Sequence, residues 1–279
     1  MIAPLRNLGP EQSPWRGDCS KKPWDYKVTA LIPVLDTWNS LEVIIELLRL
    51  QTERPYILII DTGSTPENLQ KIQNFAAEDC EVHSLRLNGV SHPSDFPCFA
   101  CDLGHILCRT EFLFNTHADV FLRKQNVLEE MMELCKTDPV VGYQITPRPH
   151  KDWVGMVGHT CLMYHVPTID NLGISWSMRR ICGYYNIEWC PDSSRPNWPD
   201  TEVGFNVLLR EAGIVAKIIG TEENFQRNIT PHFDHCRSGT SAMLYSPIYW
   251  NKCKEWLELA MQDARNRIQE WRQTTSTTA

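Results

Sequence analysis

His117 and Asp119 are the residues whose types and spacing most clearly suggest chemistry. They follow the apolar and aromatic run 112–114, which is typical of an interior strand, and they flank the small residue Ala118. Both side chains can therefore lean toward one point at the carboxyl end of the strand. An imidazole nitrogen and a carboxylate suit Mn²⁺ or Mg²⁺, and a diphosphate could complete the coordination sphere. The same pattern also fits a polar loop after a core strand, so the pair needs support from elsewhere in the chain.

Two more carboxylates, Asp36 and Asp61, are associated with other apolar runs. Asp36 comes after the run 27–34, and Asp61 ends the run 55–61. In parallel α/β sheets, ligands bind beyond the carboxyl ends of the strands. Three strand ends that carry acids or metal-ligating groups therefore favour a binding site over a chance polar loop.

Apolar runs alternate with helical patterns and predict the sheet that must position these side chains. From residue 27 the order is strand, helix, strand, helix, strand, helix, strand, with short connections. This order predicts a parallel sheet covered by helices on both faces. The predicted strands are 27–34, 55–61, 81–87, 111–117, 140–146, 158–166 and 214–220, and the predicted helices are 41–48, 66–77, 97–110, 125–136, 200–213 and 247–271.

The composition limits the classes of function. The chain has 279 residues, of which 42% are hydrophobic and 22% are charged, values that are ordinary for a globular protein. A net charge of −7 disfavours a duplex nucleic-acid partner without excluding one. No apolar run approaches the roughly 18 residues that a transmembrane segment needs, and the N-terminus lacks the apolar segment of a signal peptide. We therefore expect a cytoplasmic protein.

The cysteine content is high, with 11 residues. In a cytoplasmic chain this predicts free thiols and small core residues rather than disulfides. Cys98 and Cys101 form a Cys-x-x-Cys pair, which by itself also fits a redox pair or half of a zinc site. The chain has no second such pair, which favours core packing.

The order of the motifs resembles that of family 2 glycosyltransferases and their relatives with the GT-A fold. The resemblance covers residues 27–240 and depends on order and spacing more than on any single motif. The segments that carry it are ALIPVLDTWNSLEVIIELL (30–48), ILIIDTGST (57–65), FNTHADV (114–120), DTEVGFNVLLREAG (200–213) and HFDHCRSG (232–239).

The resemblance implies an α/β fold of the GT-A, Rossmann-like type. Its mostly parallel central sheet has helices on both faces, and a C-terminal helix follows. The composition predicts an irregular N-terminal arm over 1–26, the resemblance implies a GT-A domain over 27–245, and helical apolar spacing predicts a C-terminal helix over 246–273 packed on that domain. Within the domain, 27–123 is the nucleotide-binding half and 124–245 is the acceptor half.

The resemblance also implies a metal site and a catalytic base. FNTHADV stands where the family has its Asp-x-Asp metal motif, so His117 replaces the first acid and Asp119 is the second. One of the late histidines, His232 or the preferred His235, is implied to reach back to the metal as a third ligand. Glu202 is implied as the base that takes the proton of the acceptor hydroxyl, and Asp200 is the competing choice.

Four further residues are implied to contact the nucleotide sugar. Asp61 would accept a hydrogen bond from the base, and Asp36 would lie near the base or the ribose. Asp102, on a predicted helix, and Arg237, after the late histidine, would lie near the nucleotide sugar and its phosphates. Three of them have a plain alternative: Asp61 as a turn former, Asp36 as the cap of the next helix, and Asp102 as an exposed helix residue.

The function implied is an inverting, metal-dependent glycosyltransferase that uses a UDP-sugar and Mn²⁺ or Mg²⁺. Its acceptor is left open among glycans, lipid-linked glycans, proteins and modified nucleic-acid bases. His117 in place of an acid and Thr201 beside Glu202 motivate a non-catalytic relative that binds a nucleotide sugar or glycan. A nucleotidyltransferase is a third possibility, disfavoured because the segment 32–40 lacks the glycines and basic residues of a phosphate-binding loop.

Overall fold

The computed structural model describes residues 25–85, 95–145, 156–174, 176, 201–223, 227–236 and 247–277. Two predicted site residues, Asp200 and Arg237, and nearly all of the predicted arm 1–26 lie outside these residues. The predicted division into two functional halves stays a prediction.

Ten strands and seven helices form the described part of the chain. The strands are β1 (Val28–Val34), β2 (Tyr56–Asp61), β3 (Cys80–Ser84), β4 (Phe112–Asn115), β5 (Val120–Leu122), β6 (Val140–Ile145), β7 (Val157–His165), β8 (Lys217–Glu222), β9 (Arg227–Ile229) and β10 (Phe233–Cys236). The helices are α1 (Trp38–Arg49), α2 (Pro66–Gln73), α3 (Asp95–Leu107), α4 (Val127–Cys135), α5 (Val166–Leu172), α6 (Thr201–Glu211) and α7 (Pro247–Thr277).

The central sheet has seven strands in the order β3-β2-β1-β4-β7-β6-β8. Strand β7 runs antiparallel to both of its neighbours, and the remaining neighbouring strands in this sheet are parallel to each other. The predicted fold class, an α/β fold with a mostly parallel sheet and a C-terminal helix, is confirmed. Apolar periodicity does not reveal the direction of a strand, so the reversal of β7 was not predicted.

Both faces of the central sheet are covered because its inner strands are apolar on both sides. Ile32 and Ile59 face one hydrophobic cluster, which includes residues of α1, α4 and α7. Leu31 and Leu58 face the other cluster, which includes residues of α3, α5 and α6. The predicted alternation of strands and helices therefore gives the three-layer packing that was expected.

A second sheet of three short antiparallel strands, in the order β5-β10-β9, was not predicted. Strands of three or four residues are too short to show a recognisable apolar period. Helix α7 packs against α1 and β10, and the residues it buries there include Leu257, Ala260, Ala264 and Ile268. Among the described helices, none has both the length and the apolar composition needed to cross a bilayer.

Candidate functional site

The loop after β4 is held in place from two directions. The Thr116 amide donates to the Leu31 carbonyl at 3.0 Å, which continues the pairing of β4 with β1. The buried hydroxyl of Ser40, on α1, donates a short hydrogen bond to the carbonyl of Ala118. The backbone of the predicted His-x-Asp motif is therefore tied to both the sheet and the first helix.

The second sheet brings His235 to this loop. Strand β10 runs antiparallel to β5, so that His235 lies opposite Val120, and the Cys236 amide donates to the Asp119 carbonyl at 3.0 Å. The His235 Nε2 atom lies 3.6 Å from Asp119 Oδ1, and His117 Nδ1 lies 3.9 Å from the same oxygen. The three predicted metal ligands therefore converge, with one potential ligand atom from each lying within 4.8 Å of the others.

The chemistry of this cluster fits a divalent transition-metal ion. His117 Nε2 is buried and has no hydrogen-bond partner among the described residues. Burial, together with the neighbouring His159 and His235, holds the pKa of His117 well below 6.5, so its imidazole is neutral and has a lone pair for a metal. Two imidazoles and one carboxylate suit Mn²⁺ better than Mg²⁺, which prefers oxygen ligands.

Glu222 contacts the site and was not predicted from the sequence. It is the last residue of β8, is 1% exposed, and its Oε1 atom forms a short hydrogen bond with His235 Nδ1. The predicted strand 214–220 was wrong at both ends, because β8 covers Lys217–Glu222. With the strand extended by two residues, the same signal that singled out Asp61, an acid at a strand end, identifies Glu222.

A row of rings connects the cluster to helix α6. The ring centroid of His117 lies 4.1 Å from that of His159, on β7, and that of His159 lies 6.2 Å from the Trp176 ring. Trp176 stacks on Phe205, on α6, at 4.1 Å and an angle of 7°. The sequence carried no signal for this row, because its members are far apart along the chain and come from different elements.

Helix α6 is held at the same edge of the sheet as the cluster. Asn206 accepts from the Val157 amide at 2.9 Å and donates to the Val157 carbonyl at 2.8 Å. Val157 begins β7, and the start of this antiparallel strand lies at the edge where β4 ends. Glu202 is one helical turn before Asn206; its side chain lies outside the described part of the structure, and its role as base stays a prediction.

Asp61 is fully buried at the end of β2 and is used by the loop that follows. Its Oδ1 atom accepts from the Ser64 amide at 3.0 Å, and its Oδ2 atom accepts from the Ser84 hydroxyl at 2.9 Å. These contacts are those of the turn former that the sequence left as an alternative. A carboxylate has further lone pairs, so the predicted contact with a nucleotide base stays open as a proposal.

Asp36 links the ends of β1 and β2. Its backbone has a φ of 56°, a left-handed conformation that is uncommon outside glycine. Its amide donates to the Ser64 hydroxyl at 2.7 Å, and its Oδ1 atom accepts from the Thr65 amide at 2.8 Å and from Asn68 Nδ2 at 3.0 Å. The carboxylate therefore holds the start of α2, whereas the sequence alternative was a cap on the helix directly after it, α1.

The remaining predicted contacts lie on α3. Asp102 Oδ1 accepts from the Trp176 amide at 2.7 Å, so it holds one member of the row of rings. Cys98 and Cys101 are both buried, and Asn115 Nδ2 lies 3.3 Å from Cys101 Sγ. The eight cysteines in the described residues are all buried free thiols, as predicted.

No protein-family model and no curated protein matches the chain. Among solved structures, it is similar to the mannosyltransferase PcManGT from Pyrobaculum calidifontis in complex with GDP-Man and Mn²⁺, with 12% identity over 93% of this chain and 80% of that chain and a TM-score of 0.49. It is also similar to S. aureus TarS, with 14% identity, a TM-score of 0.42 and coverage of 53% of this chain but 30% of TarS. A third is 4-diphosphocytidyl-2C-methyl-D-erythritol synthase from Anaerococcus prevotii, with 10% identity over 70% of this chain and 87% of that chain and a TM-score of 0.44. Similarities at this level concern the fold and assign no reaction to this chain.

Proposed function

We propose that this protein is an inverting, metal-dependent glycosyltransferase that transfers a sugar from a UDP-sugar to an acceptor hydroxyl. The observation that carries the proposal is the convergence of His117, Asp119 and His235 at the edge where β4 ends. When bound there, a divalent cation would offset the charge that gathers on the diphosphate as the bond to the sugar breaks. Mn²⁺ is the proposed ion because of the two imidazoles.

The proposed roles of the other residues follow from where the elements place them. Asp61 and Asp36 hold the loop after β2 beside the end of β1, and this loop is the proposed nucleotide-binding wall. Asp102, whose Oδ1 atom accepts a hydrogen bond from the Trp176 amide, is proposed to lie near the nucleotide sugar on the α3 side.

The proposed base comes from a different part of the sheet edge. Glu202 lies in the first turn of α6, which the Asn206 contacts fix to the start of β7. A base that faces the sugar from the side opposite the diphosphate produces inversion at the anomeric carbon in one displacement. Asp200 is the second choice for this role.

The test is binding and turnover with a panel of nucleotide sugars, with and without Mn²⁺. We expect UDP to stabilise the protein against heat more in the presence of Mn²⁺, since cation and diphosphate share the site. Asp119→Asn should abolish this increment and lower turnover of the donor by about 100-fold, the scale of losing a transition-state charge contact. Asp138→Asn is the matched control, because Asp138 precedes β6 at the opposite edge of the sheet. Unchanged turnover and Mn²⁺ dependence in Asp119→Asn would refute the proposal.

A non-catalytic nucleotide-sugar binder is the second candidate. The observation that favours it is that the cluster contains a single carboxylate, so the site carries less negative charge than one built on two acids. It predicts Mn²⁺-dependent binding of UDP together with no release of UDP from any donor. Release of UDP that depends on Glu202 would exclude it.

A further inference from the structure

We propose that Glu222 is a positioning residue that holds His235 with its proton on Nδ1, so that the Nε2 lone pair faces Asp119 and is available to a cation. The proposal rests on the proposed metal site but concerns a residue outside the three ligands. Glu222 contacts one of these ligands directly: its Oε1 atom contacts His235 Nδ1, while Nε2 of the same ring lies 3.6 Å from Asp119 Oδ1.

The two ring nitrogens of His235 face two different carboxylates. An ionised carboxylate only accepts hydrogen bonds, so the short contact to Glu222 requires the proton on Nδ1. In a neutral imidazole, the other nitrogen then carries the lone pair. A histidine that ligates a metal generally donates its second N–H to a carboxylate or a carbonyl, and this contact sets the tautomer and the orientation of the ring.

The contact also joins the two sheets. Glu222 ends β8, the edge strand of the seven-stranded sheet, where it pairs with Ile145, and His235 belongs to β10 of the smaller sheet. Glu222 and His235 are 1% and 5% exposed, so water has little access to either side chain. Burying an ionised carboxylate costs free energy unless it has a hydrogen-bonded partner. The buried Glu222 carboxylate is therefore expected to keep its contact with the His235 ring.

The first experiment needs no metal and tests the tautomer alone. Histidine-labelled protein is compared with His235→Ala to assign the resonances, and ¹⁵N shifts then identify the protonated nitrogen of His235. We expect Nδ1–H in the unsubstituted protein and a mixture of tautomers in Glu222→Leu. A proton on Nε2 in the unsubstituted protein would overturn the proposal.

The second experiment measures affinity for Mn²⁺ by electron paramagnetic resonance, without donor or turnover. Glu222→Gln keeps the size of the side chain and should weaken Mn²⁺ binding by about 10- to 100-fold, the usual effect of removing an outer-shell carboxylate. The neighbouring Glu223 is exposed, and Glu223→Gln makes the same chemical change as a control that should bind Mn²⁺ normally. Equal affinities in Glu222→Gln and Glu223→Gln would overturn the proposal.

The two arms separate this inference from the proposed function. If the unsubstituted protein binds no Mn²⁺, the metal site is refuted, and the NMR result still decides whether Glu222 sets the tautomer. Thermal melts of each variant identify a general loss of folding. A purely structural role for Glu222 would lower the melting temperature while leaving the Mn²⁺ affinity of the folded protein unchanged, and this result would also overturn the proposal.

Discussion

Asn206 offers the most direct test of how the fold positions the site. Its side-chain amide makes two hydrogen bonds to the backbone of Val157, donating to the carbonyl and accepting from the amide. Both residues are buried, at 3% and 0% exposure, so solvent cannot simply take over these contacts. Replacing Asn206 by alanine would leave a buried amide and a buried carbonyl without these partners.

The magnitude follows from those two groups. Leaving a buried polar group unsatisfied costs about 1–3 kcal/mol, and a water that enters the space of the lost side chain reduces that cost. We therefore expect Asn206→Ala to lower the free energy of unfolding by about 2–4 kcal/mol. Because Asn206 also fixes the start of β7, where His159 contacts His117, the variant should bind Mn²⁺ more weakly even when it is folded.

Urea denaturation followed by circular dichroism measures the first effect, and a Mn²⁺ titration below the unfolding transition measures the second. Asn266→Ala is the matched control, since Asn266 is exposed on α7 and its loss should change stability by about 0.5 kcal/mol or less. A loss of stability below about 0.5 kcal/mol for Asn206→Ala would show that the two hydrogen bonds between Asn206 and Val157 contribute little to folding, which would refute the reasoning.

Two further predictions concern parts of the fold away from the site. Burial opposes the ionisation of Asp79, but hydrogen bonds from Arg49 and Arg54 outweigh it and hold the pKa of Asp79 at about 2, below its ordinary 3.8. A depressed pKa stabilises the folded state above pH 4, and this stabilisation is lost as the pH falls toward 2. Allowing for solvent screening of the arginines, Asp79→Asn should therefore remove about 1–2 kcal/mol of the stability difference between pH 5 and pH 2. Urea denaturation at a series of pH values measures this difference, and identical pH profiles for Asp79→Asn and the unsubstituted protein would contradict the prediction. Gly104→Ala would place a methyl group in steric overlap with the side chain of Leu31, so overpacking of about 1–3 kcal/mol should exceed the gain of about 1 kcal/mol in helix propensity. Adding Leu31→Val to Gly104→Ala should restore part of the lost stability. A Gly104→Ala single variant that is more stable than the unsubstituted protein would show that α3 is not closely packed on β1 at this position.

Most of the central sheet could be predicted because its strands are continuous apolar runs. The predicted strands 27–34 and 55–61 match the bounds of β1 and β2 to within one residue. A strand that is buried on both faces is apolar along its whole length, so its ends are marked where the apolar run ends. Helix α2 was also well marked at its start, where the Thr65 hydroxyl accepts from the Asn68 amide and Pro66 follows. These signals are local, so they are visible without knowledge of the partner elements.

The sequence by itself therefore determined the long buried strands β1 and β2 and the types of group near the ends of the sheet strands, including His117 and Asp119, while the order of the motifs singled out the late His235. Only the tertiary structure decided which of them meet. Antiparallel pairing of β10 with β5 brings His235 to Asp119, and the end of β8 brings Glu222 to His235. These contacts join residues separated by 13 to more than 100 positions, and no local periodicity records a pairing over that distance, because the pairing depends on how whole elements bury their apolar faces together.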